Sequence, residues 1–331
     1  MRVPYQDLHD ALRRALEKAG LQPDRADLCA RLIADSSRDG VHSHGLNLFP
    51  RLLKMMHAGV VDVTATPVRV AAHLGFERWD GRRGVGALNA HHSMATAIAL
   101  ARSHGVGCVA LANTNHWMRG GTYGWQAAEA GVIGICWTNT LPNLPPWGAS
   151  DPRVGNNPLV IAVPRAEGHV VLDMALSQFS YGALAAYRQR GELLPVPGGF
   201  DARGGLTREP AEIEASRRPL PIGFWKGSGL SIVLDMIAAL LSGGRATHQI
   251  AVGREDETAL SQIFLAFDLA SLADPRGADA LVDAIVDHVR QPTGDGTRVR
   301  YPGERTIETR RQHLAEGIPV DPSVWELVLN A

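Results

Sequence analysis

Two histidines on one short turn are the first candidates for chemistry in this sequence. His42 and His44 flank Ser43, and Gly45 follows them. The unperturbed pKa of an imidazole lies close to neutrality, so the ring can both donate and accept a proton at working pH. We predict that His44 is a proton donor and that His42 is a surface side chain outside the chemistry.

The run NTNHWMRGGTYG, residues 113–124, is the second candidate. It follows a predicted strand and precedes a predicted helix, which is where α/β proteins place ligands. His116 and Arg119 supply an imidazole and a guanidinium, and the glycines let the backbone approach a ligand closely. The pattern predicts a binding site, whereas the structural alternative is a polar turn with an aromatic anchor.

Two shorter motifs have both a functional and a structural interpretation. Asp173 ends an apolar strand, where a carboxylate either caps the next turn or pairs with a cation or an imidazole. Lys226 lies in FWKGSG, residues 224–229, at the predicted start of a long helix, whose free amides either bind an anion or form an ordinary glycine-rich cap. A standard Rossmann or P-loop protein is disfavoured, because the sequence lacks both GxGxxG in its strand–helix context and GxxxxGK(S/T).

Predicted helices and strands alternate through the region that must position these groups. Hydrophobic spacing predicts helices over 5–19, 24–38, 46–58, 87–104, 124–130, 180–191, 227–242, 276–290 and 306–316. Apolar runs predict strands over 68–72, 107–112, 132–138, 159–163, 170–174 and 262–267. The alternation predicts an α/β fold, and the stretch 194–223, rich in Pro and Gly, is expected to be a functional or covering loop.

The composition argues against several classes of partner and site. Lys and Arg number 33 against 34 Asp and Glu, so we expect no electrostatic attraction to nucleic acid or to anionic membranes. The three cysteines, Cys29, Cys108 and Cys136, lack metal-ligand spacing, which predicts reduced thiols and no metal site. No apolar signal region follows Met1, and the run 230–241 is too short to span a bilayer, so a cytoplasmic protein is expected.

Taken together, these motifs resemble the type-2 malate/L-lactate dehydrogenase family, whose cofactor-binding fold is not a Rossmann fold. The resemblance covers nearly the whole chain in order. It is carried by SHG (43–45), HWMRGGTYGWQAAE (116–129), ICWTN (135–139), PPWGA (145–149), GNNPL (155–159), FSYG (179–182), residues 194–201 and 206–210, FWKGSG (224–229) and PGE (302–304).

The resemblance implies a fold like that of L-sulfolactate dehydrogenase, with a mixed sheet flanked by helices. It implies that residues 1–66 form a helical N-terminal part that carries the catalytic histidine. Residues 67–270 would form a mixed α/β cofactor-binding core, and residues 271–331 a C-terminal helical segment that returns to the N-terminal part. A homodimer is also implied, with the site close to the subunit boundary.

The activity that the resemblance implies is transfer of hydride from NADH to the C2 carbonyl of a 2-oxo acid. Among the family's substrates, 2,3-diketo-L-gulonate, reduced to 3-dehydro-L-gulonate, is the expected one. The alternatives are malate, L-lactate or ureidoglycolate dehydrogenation and reduction of a cyclic imino acid. A different class is a cofactor-binding homologue without catalysis. NADPH is the alternative cofactor, because Arg305 adds a cation suited to a 2′-phosphate.

The resemblance also assigns roles to individual residues. The catalytic residues would be His44, His116 and Asp173, and Ser43, Arg51 and Arg119 would bind substrate. The cofactor would be bound by His169, Val170, Val171, Leu172, Asp173, Met174, Ala175, Trp225, Lys226, Gly303, Glu304 and Arg305. One position departs from the family: Leu48 stands where an arginine commonly grips the substrate carboxylate.

Overall fold

The computed structural model describes residues 1–250, 257–272, 275–292, 294, 296 and 298–331. Its helices are α1 (Tyr5–Lys18), α2 (Pro23–Arg38), α3 (Phe49–His57), α4 (Gly86–His104), α5 (Gly121–Glu129), α6 (Tyr181–Arg190), α7 (Pro210–Ser216), α8 (Trp225–Ser242), α9 (Leu269–Leu272), α10 (Pro275–Val289), α11 (Glu304–Glu316) and α12 (Pro322–Asn330). Its strands are β1 (Arg2–Val3), β2 (Val68–His73), β3 (Phe76–Asp80), β4 (Val106–Asn115), β5 (Val132–Thr138), β6 (Leu159–Val163), β7 (Val170–Met174), β8 (Gly199–Phe200), β9 (Leu206–Thr207), β10 (Thr258–Asp268) and β11 (Ile318–Pro319).

Apolar residues at helical spacing produce the N-terminal pair of helices. Leu8, Leu12 and Leu16 recur every four residues on α1 and are fully buried. Pro23 begins α2. This position suits proline because the N–H of the first helical residue has no acceptor within the helix, so its loss costs no hydrogen bond. The two helices pack against each other. The chain then leaves α2 directly into the short 3-10 turn His42–His44.

A seven-stranded sheet forms the centre of the fold, in the order β2-β3-β4-β10-β5-β6-β7. The pair β3–β4 is parallel and the other neighbouring pairs are antiparallel. This arrangement confirms the predicted mixed α/β fold. It also means that β4, β5 and β7 run in one direction and end at the same edge of the sheet, where β6 and β10 begin. Polar residues at those strand ends are therefore brought together.

Neighbouring side chains of the central strand β10 pack against helices on opposite faces of the sheet. Phe264 packs in a core with Met94 of α4 and Trp125 of α5. Its neighbour Ile263 packs on the opposite face with Leu234 of α8. Successive side chains on a strand point to opposite faces, so one apolar strand supports both layers of helices.

The two ends of the chain lie together. β1 pairs antiparallel with β11, with Arg2 opposite Pro319. The last helix, α12, packs against α1 and α3. The predicted helices had stopped at residue 316, so α12 was missed by the sequence analysis.

Two other elements differ from the sequence prediction. The stretch 194–223 is not a plain loop: it holds α7 and the two-stranded pair β8–β9, and with α6 it forms a separate small core of Leu184, Leu194 and Ile213. Strand β3 was missed because FERWD reads as polar. Its buried Glu77 is satisfied by the Trp79 indole N–H at 2.8 Å and by the Arg69 guanidinium at 2.7 Å.

Helix α8 is longer than its apolar centre suggested. It begins at Trp225 and, by length and composition alone, is long and apolar enough to cross a membrane. The expectation that this run is too short is therefore wrong on length. A single helix of this kind is weak evidence for a membrane span, because core helices have the same composition. Here Ser231, Leu234 and Ala238 form a buried stripe against the sheet.

Candidate active site

A cleft of about 270 Å³ lies at the sheet edge where β4, β5 and β7 end. The turn after α2 and the loops that flank these strands complete it. Its lining residues are Val41, Ser43, His44, His116, Trp117, Met118, Arg119, Gly120, Thr138, Thr140, Asn143, Asn156, Pro158, Asp173, Ala175, Ser180 and Glu257. The cleft thus brings together residues from six separate stretches of the chain, including all three residues assigned to catalysis.

His44 is held in the cleft by the tight turn that follows α2. Gly45 lies so close to α2 that a Cβ there would collide with Ser37. The Ser43 hydroxyl is 3.0 Å from His44 Nδ1, and the ring stacks on His116 with centroids 5.9 Å apart. Burial lowers the pKa of His44, and the charge of Asp173 opposes that effect. The geometry gives His44 an oriented ring, and burial together with the charge of Arg119 outweighs Asp173, so the pKa of His44 lies below its ordinary value.

His42 is not the surface side chain that the sequence suggested. It is half-buried, with its ring centroid 5.7 Å from that of His313 on α11. Burial lowers the pKa of His42, and the neighbouring His313 adds to the effect. It does not line the cleft, so the two histidines of the turn lie in different surroundings.

His116 is fixed in one protonation state by the backbone of its own turn. The Met118 amide donates to His116 Nδ1 at 3.1 Å, so the neutral ring carries its proton on Nε2. Met118 has a φ of +65°, and this strained turn brings the amide back to the ring. Burial lowers the pKa of His116 to about 3, with contributions from His44 and Arg51. His116 is thus a neutral hydrogen-bond donor at physiological pH.

Asp173 caps a helix that lies 52 residues away in sequence. Its Oδ2 accepts the backbone N–H of Gly121, the first residue of α5, at 2.9 Å. The same oxygen is 3.9 Å from Nε of Arg119. A Cβ at Gly121 would lie 2.6 Å from this oxygen, so the contact requires glycine. Both interpretations of Asp173 hold in part, because the carboxylate caps a helix and also lies near a cation.

Arg119 forms the floor of the cleft and is held there by a buried carboxylate. Its side chain is 4% exposed, and Nη1 donates to Asp39 Oδ2 at 2.7 Å. Asp39 also accepts two bonds from Arg310, at 2.8 and 2.9 Å, and one from Arg38. Burial raises the pKa of Asp39, but the three arginines outweigh it and lower that pKa to about 2. Arg119 is therefore a rigid cation with its Nε directed at no bonded partner in the described part of the chain.

Two of the three segments assigned to the cofactor adjoin each other. The Val171 amide on β7 donates to the Pro302 carbonyl at 2.9 Å. Gly303 follows with a φ of +96°, and a Cβ there would lie 3.1 Å from the His169 carbonyl oxygen. The tight backbone contact leads from β7 into the N-terminus of α11, a position that favours anionic groups such as phosphates. At the far end of β7, Asp173 and Ala175 reach the cleft.

The other residues assigned to the cofactor do not line the cleft. Glu304 is buried, and its carboxylate bonds to Arg290 and to Arg298, at 2.7 Å for the latter. Arg305 is exposed beside it. Trp225, which is 65% exposed, and Lys226 lie in the first turn of α8, outside the set of residues that line the cleft.

Leu48 and Arg51 lie in a smaller cavity next to the cleft. They line it together with His116, Met118 and four other residues. Arg51 is exposed, and its charge acts on both His116 and Glu257. Arg51, one of the two cations assigned to the substrate, thus lies on the His116 side of the site, one helical turn beyond Leu48.

Sequence reasoning missed five polar residues that line the cleft, which we call the polar wall. Its members are Thr138, Thr140, Asn143, Asn156 and Glu257. All five flank strand ends that meet at this edge of the sheet. The available signal was their position, since four of them lie in loops directly after β5 or before β6 and β10.

With this geometry in view, comparison with known proteins identifies the class. A family model described as malate/L-lactate dehydrogenase matches residues 3–328. The chain belongs to that family. It is an oxidoreductase that acts on CH–OH groups and uses a nicotinamide cofactor, and the resemblance described from the sequence motifs is confirmed.

Particular relatives are similar along nearly their whole length. The 2,3-diketo-L-gulonate reductase of Citrobacter koseri is 46% identical over 327 residues, which is 98% of each chain. The δ1-piperideine-2-carboxylate reductase of Pseudomonas syringae aligns with a TM-score of 0.88 at 29% identity, over 100% of this chain and 99% of that one. The sulfolactate dehydrogenase of Methanocaldococcus jannaschii aligns with a TM-score of 0.92 at 24% identity, over 99% and 95%. The last likeness shows the fold, as the sequence predicted.

Proposed function

We propose that this protein is an NADH-dependent reductase of a 2-oxo acid, and that its substrate is 2,3-diketo-L-gulonate, which it reduces to 3-dehydro-L-gulonate. The observation that carries the proposal is His44, a half-buried imidazole in a cleft beside Asp173 and stacked on His116. The substrate assignment is supported by the 46% identity to a 2,3-diketo-L-gulonate reductase.

Reduction of a ketone creates alkoxide charge on its oxygen, which needs a proton. In the proposed mechanism His44 donates that proton in its imidazolium form. Asp173 stabilises the imidazolium against the cost of burial. His116, neutral with its proton on Nε2, donates a hydrogen bond that polarises the carbonyl. The two stacked rings thus divide proton transfer and polarisation between them.

The nicotinamide ring supplies the hydride when the cofactor is bound. We propose that residues His169 to Ala175 and Gly303 to Arg305 bind the cofactor, since they form the adjoining backbone segments described above. Glu304 would contribute only its backbone, because its carboxylate is engaged by two arginines. Arg305 is exposed beside these segments and is the residue on which a preference between NADH and NADPH would depend.

We also propose that the protein is a cytoplasmic homodimer. One face of α8 is apolar but exposed, through Leu230, Val233, Met236 and Leu240, of which Leu240 is 80% exposed. Exposed Trp225 extends this face at the start of the helix. An apolar patch of this kind supports burial against another subunit. In a dimer, Trp225 and Lys226 would reach the cofactor of the partner rather than their own, which would explain their distance from the cleft.

Binding and turnover test the proposal separately. Titration of NADH fluorescence measures cofactor binding, and a panel of 2-oxo acids with 2,3-diketo-L-gulonate, oxaloacetate, pyruvate and a cyclic imino acid measures turnover. We expect NADH binding and the highest kcat/KM with 2,3-diketo-L-gulonate. NADH binding without turnover of any member of the panel would instead support the non-catalytic alternative.

A further inference from the structure

The polar wall of the cleft holds a buried carboxylate that the proposed chemistry does not use. Glu257 is 7% exposed, and its Oε1 accepts the Leu141 amide at 3.3 Å. Its Oε2 lies 3.9 Å from His116 Nε2, which is too far for a hydrogen bond. In the described part of the chain, that oxygen accepts no hydrogen bond. Burial raises the pKa of Glu257, and Arg51 and the Leu141 amide oppose the effect.

One side-chain amide of the polar wall, that of Asn156, is held in place by its neighbours and keeps an unused donor. Asn156 Oδ1 accepts from the Thr140 hydroxyl at 3.1 Å and from Asn143 Nδ2 at 3.0 Å. Asn143 Oδ1 accepts the Asn156 backbone amide at 2.8 Å, which locks the pair. The bond from Asn143 Nδ2 thus fixes the orientation of the Asn156 amide, and Asn156 Nδ2 bonds to no residue that the structure describes. The wall therefore presents a donor at Asn156 and an acceptor at Glu257.

This pattern of groups does not suit the acidic end of a substrate. A 2-oxo acid brings a carboxylate, which a second carboxylate at Glu257 would repel. A hydroxyl group can donate to Glu257 and accept from Asn156, so it satisfies both. An apolar chain in the same place would satisfy neither polar group, which is costly in a buried site.

We propose that the polar wall binds hydroxyl groups of the substrate, with Glu257 as the acceptor, and so selects polyhydroxylated 2-oxo acids over simple ones. This inference rests on the proposed reductase function for the oxo-acid end of the substrate and adds the recognition of its tail. The substrate then lies with its carboxylate towards the Arg119 floor and its hydroxylated carbons along the wall. Glu257 is a specificity residue that takes no part in proton transfer.

Two six-carbon acids of equal charge test the wall without any turnover. L-Gulonate carries hydroxyl groups and hexanoate carries none, and neither has a carbonyl that NADH can reduce. Their dissociation constants from the full-length protein with NADH are measured by isothermal titration calorimetry. We expect L-gulonate to bind at least about tenfold more tightly than hexanoate, the effect of one hydrogen bond to a charged group. Equal affinities in the unmodified protein would overturn the inference whatever the variants do.

The variant Glu257→Gln keeps the shape of the side chain and an acceptor for Leu141, but replaces the outer oxygen by a donor. We expect it to reduce the ratio of the two affinities by at least about fivefold, through weaker L-gulonate binding. Glu17→Gln is the matched control, because Glu17 is paired with Arg13 on the remote helix α1. An unchanged ratio in a Glu257→Gln protein that melts normally overturns the role of Glu257. Failure of the reductase proposal would appear in the turnover panel and leave these affinities unaffected.

Discussion

Replacement of His44 by glutamine tests the proposed proton donor directly. Glutamine retains a hydrogen-bonding group near Ser43 but cannot deliver a proton at catalytic rates. A positioned general acid contributes about 10²- to 10⁴-fold to a rate. We expect a loss of about 10²-fold in kcat, at the lower end of that range, because the Nε2 proton of His116 remains to polarise the carbonyl. The segments proposed to bind the cofactor lie on β7 and α11, so NADH affinity should be nearly unchanged.

The pH profile gives the same variant a second readout. The acid form of His44 is the imidazolium, and burial places its pKa below the ordinary 6.5. Protonated His44 therefore decreases as pH rises through that lowered pKa, and the rate of ketone reduction should fall with it, with a midpoint below pH 6.5. The His44→Gln protein should lose this dependence. Stopped-flow measurement of NADH oxidation at saturating substrate gives both quantities.

A neighbouring histidine provides the control. His42 lies on the same turn but packs against His313 rather than in the cleft, so His42→Gln should keep both the rate and its pH dependence. If His44→Gln retains the parent turnover, or retains its pH profile at reduced turnover, then His44 is not the proton donor and the reasoning from the cleft is refuted.

Further predictions concern three residues around the site, Asp39, Leu48 and Gly121. Asp39→Asn should destabilise the protein by about 3–5 kcal/mol, because it leaves buried arginines without their counter-charge; a melting temperature within two degrees of the parent would contradict this. In the parent, the pKa of Asp39 is about 2 in the folded protein against an ordinary 3.8. Its contribution to the free energy of unfolding is therefore complete above pH 3.8, and about 2 kcal/mol is lost as pH falls from 3.8 to about 2. Measuring the free energy of unfolding as a function of pH tests this. Leu48→Arg should lower the KM for pyruvate by supplying a carboxylate partner, and an unchanged KM would mean that another cation already has this role. Gly121→Ala should lower kcat/KM by displacing Asp173, whereas Gly229→Ala, where a Cβ meets nothing within 4 Å, should leave the melting temperature unchanged or raised.

The strands and helices could be predicted from the sequence where burial imposes a simple pattern of apolar residues. Apolar strands such as 132–138 and 170–174 were predicted with the bounds that the structure gives. β3 was missed because Glu77 and Arg78 interrupt its apolar pattern, and two of their partners, Arg69 and Ser242, come from other elements. The stretch 194–223 was taken for a loop because Pro and Gly dominate it. Its short helix is stabilised by packing of Ile213 on Leu184 and Leu194, which composition does not reveal.

The candidate site was predictable only in the residues that stand out by type. His44, His116 and Asp173 were selected as titratable groups at element ends, and they line one cleft. Glu257 was not selected, because a single glutamate before a strand is unremarkable until β10 is paired between β4 and β5. The partner of Arg119 was also hidden, since Asp39 precedes it by 80 positions. Long-range pairings of this kind depend on the folded topology rather than on local pattern.

Asp39 also connects parts of the chain that are synthesised far apart in time. It joins α2 to Arg119 and to Arg310, a contact that spans 271 positions of the chain. Closing so large a loop carries a cost in chain entropy that only the finished core repays. A chain emerging from the ribosome can form α1, α2, most of the sheet and the Asp39–Arg119 pair before Arg310 is available. The full set of arginines around Asp39 is therefore completed late, and a chain that ends before α11 would keep the Asp39–Arg119 pair but lose the two bonds from Arg310.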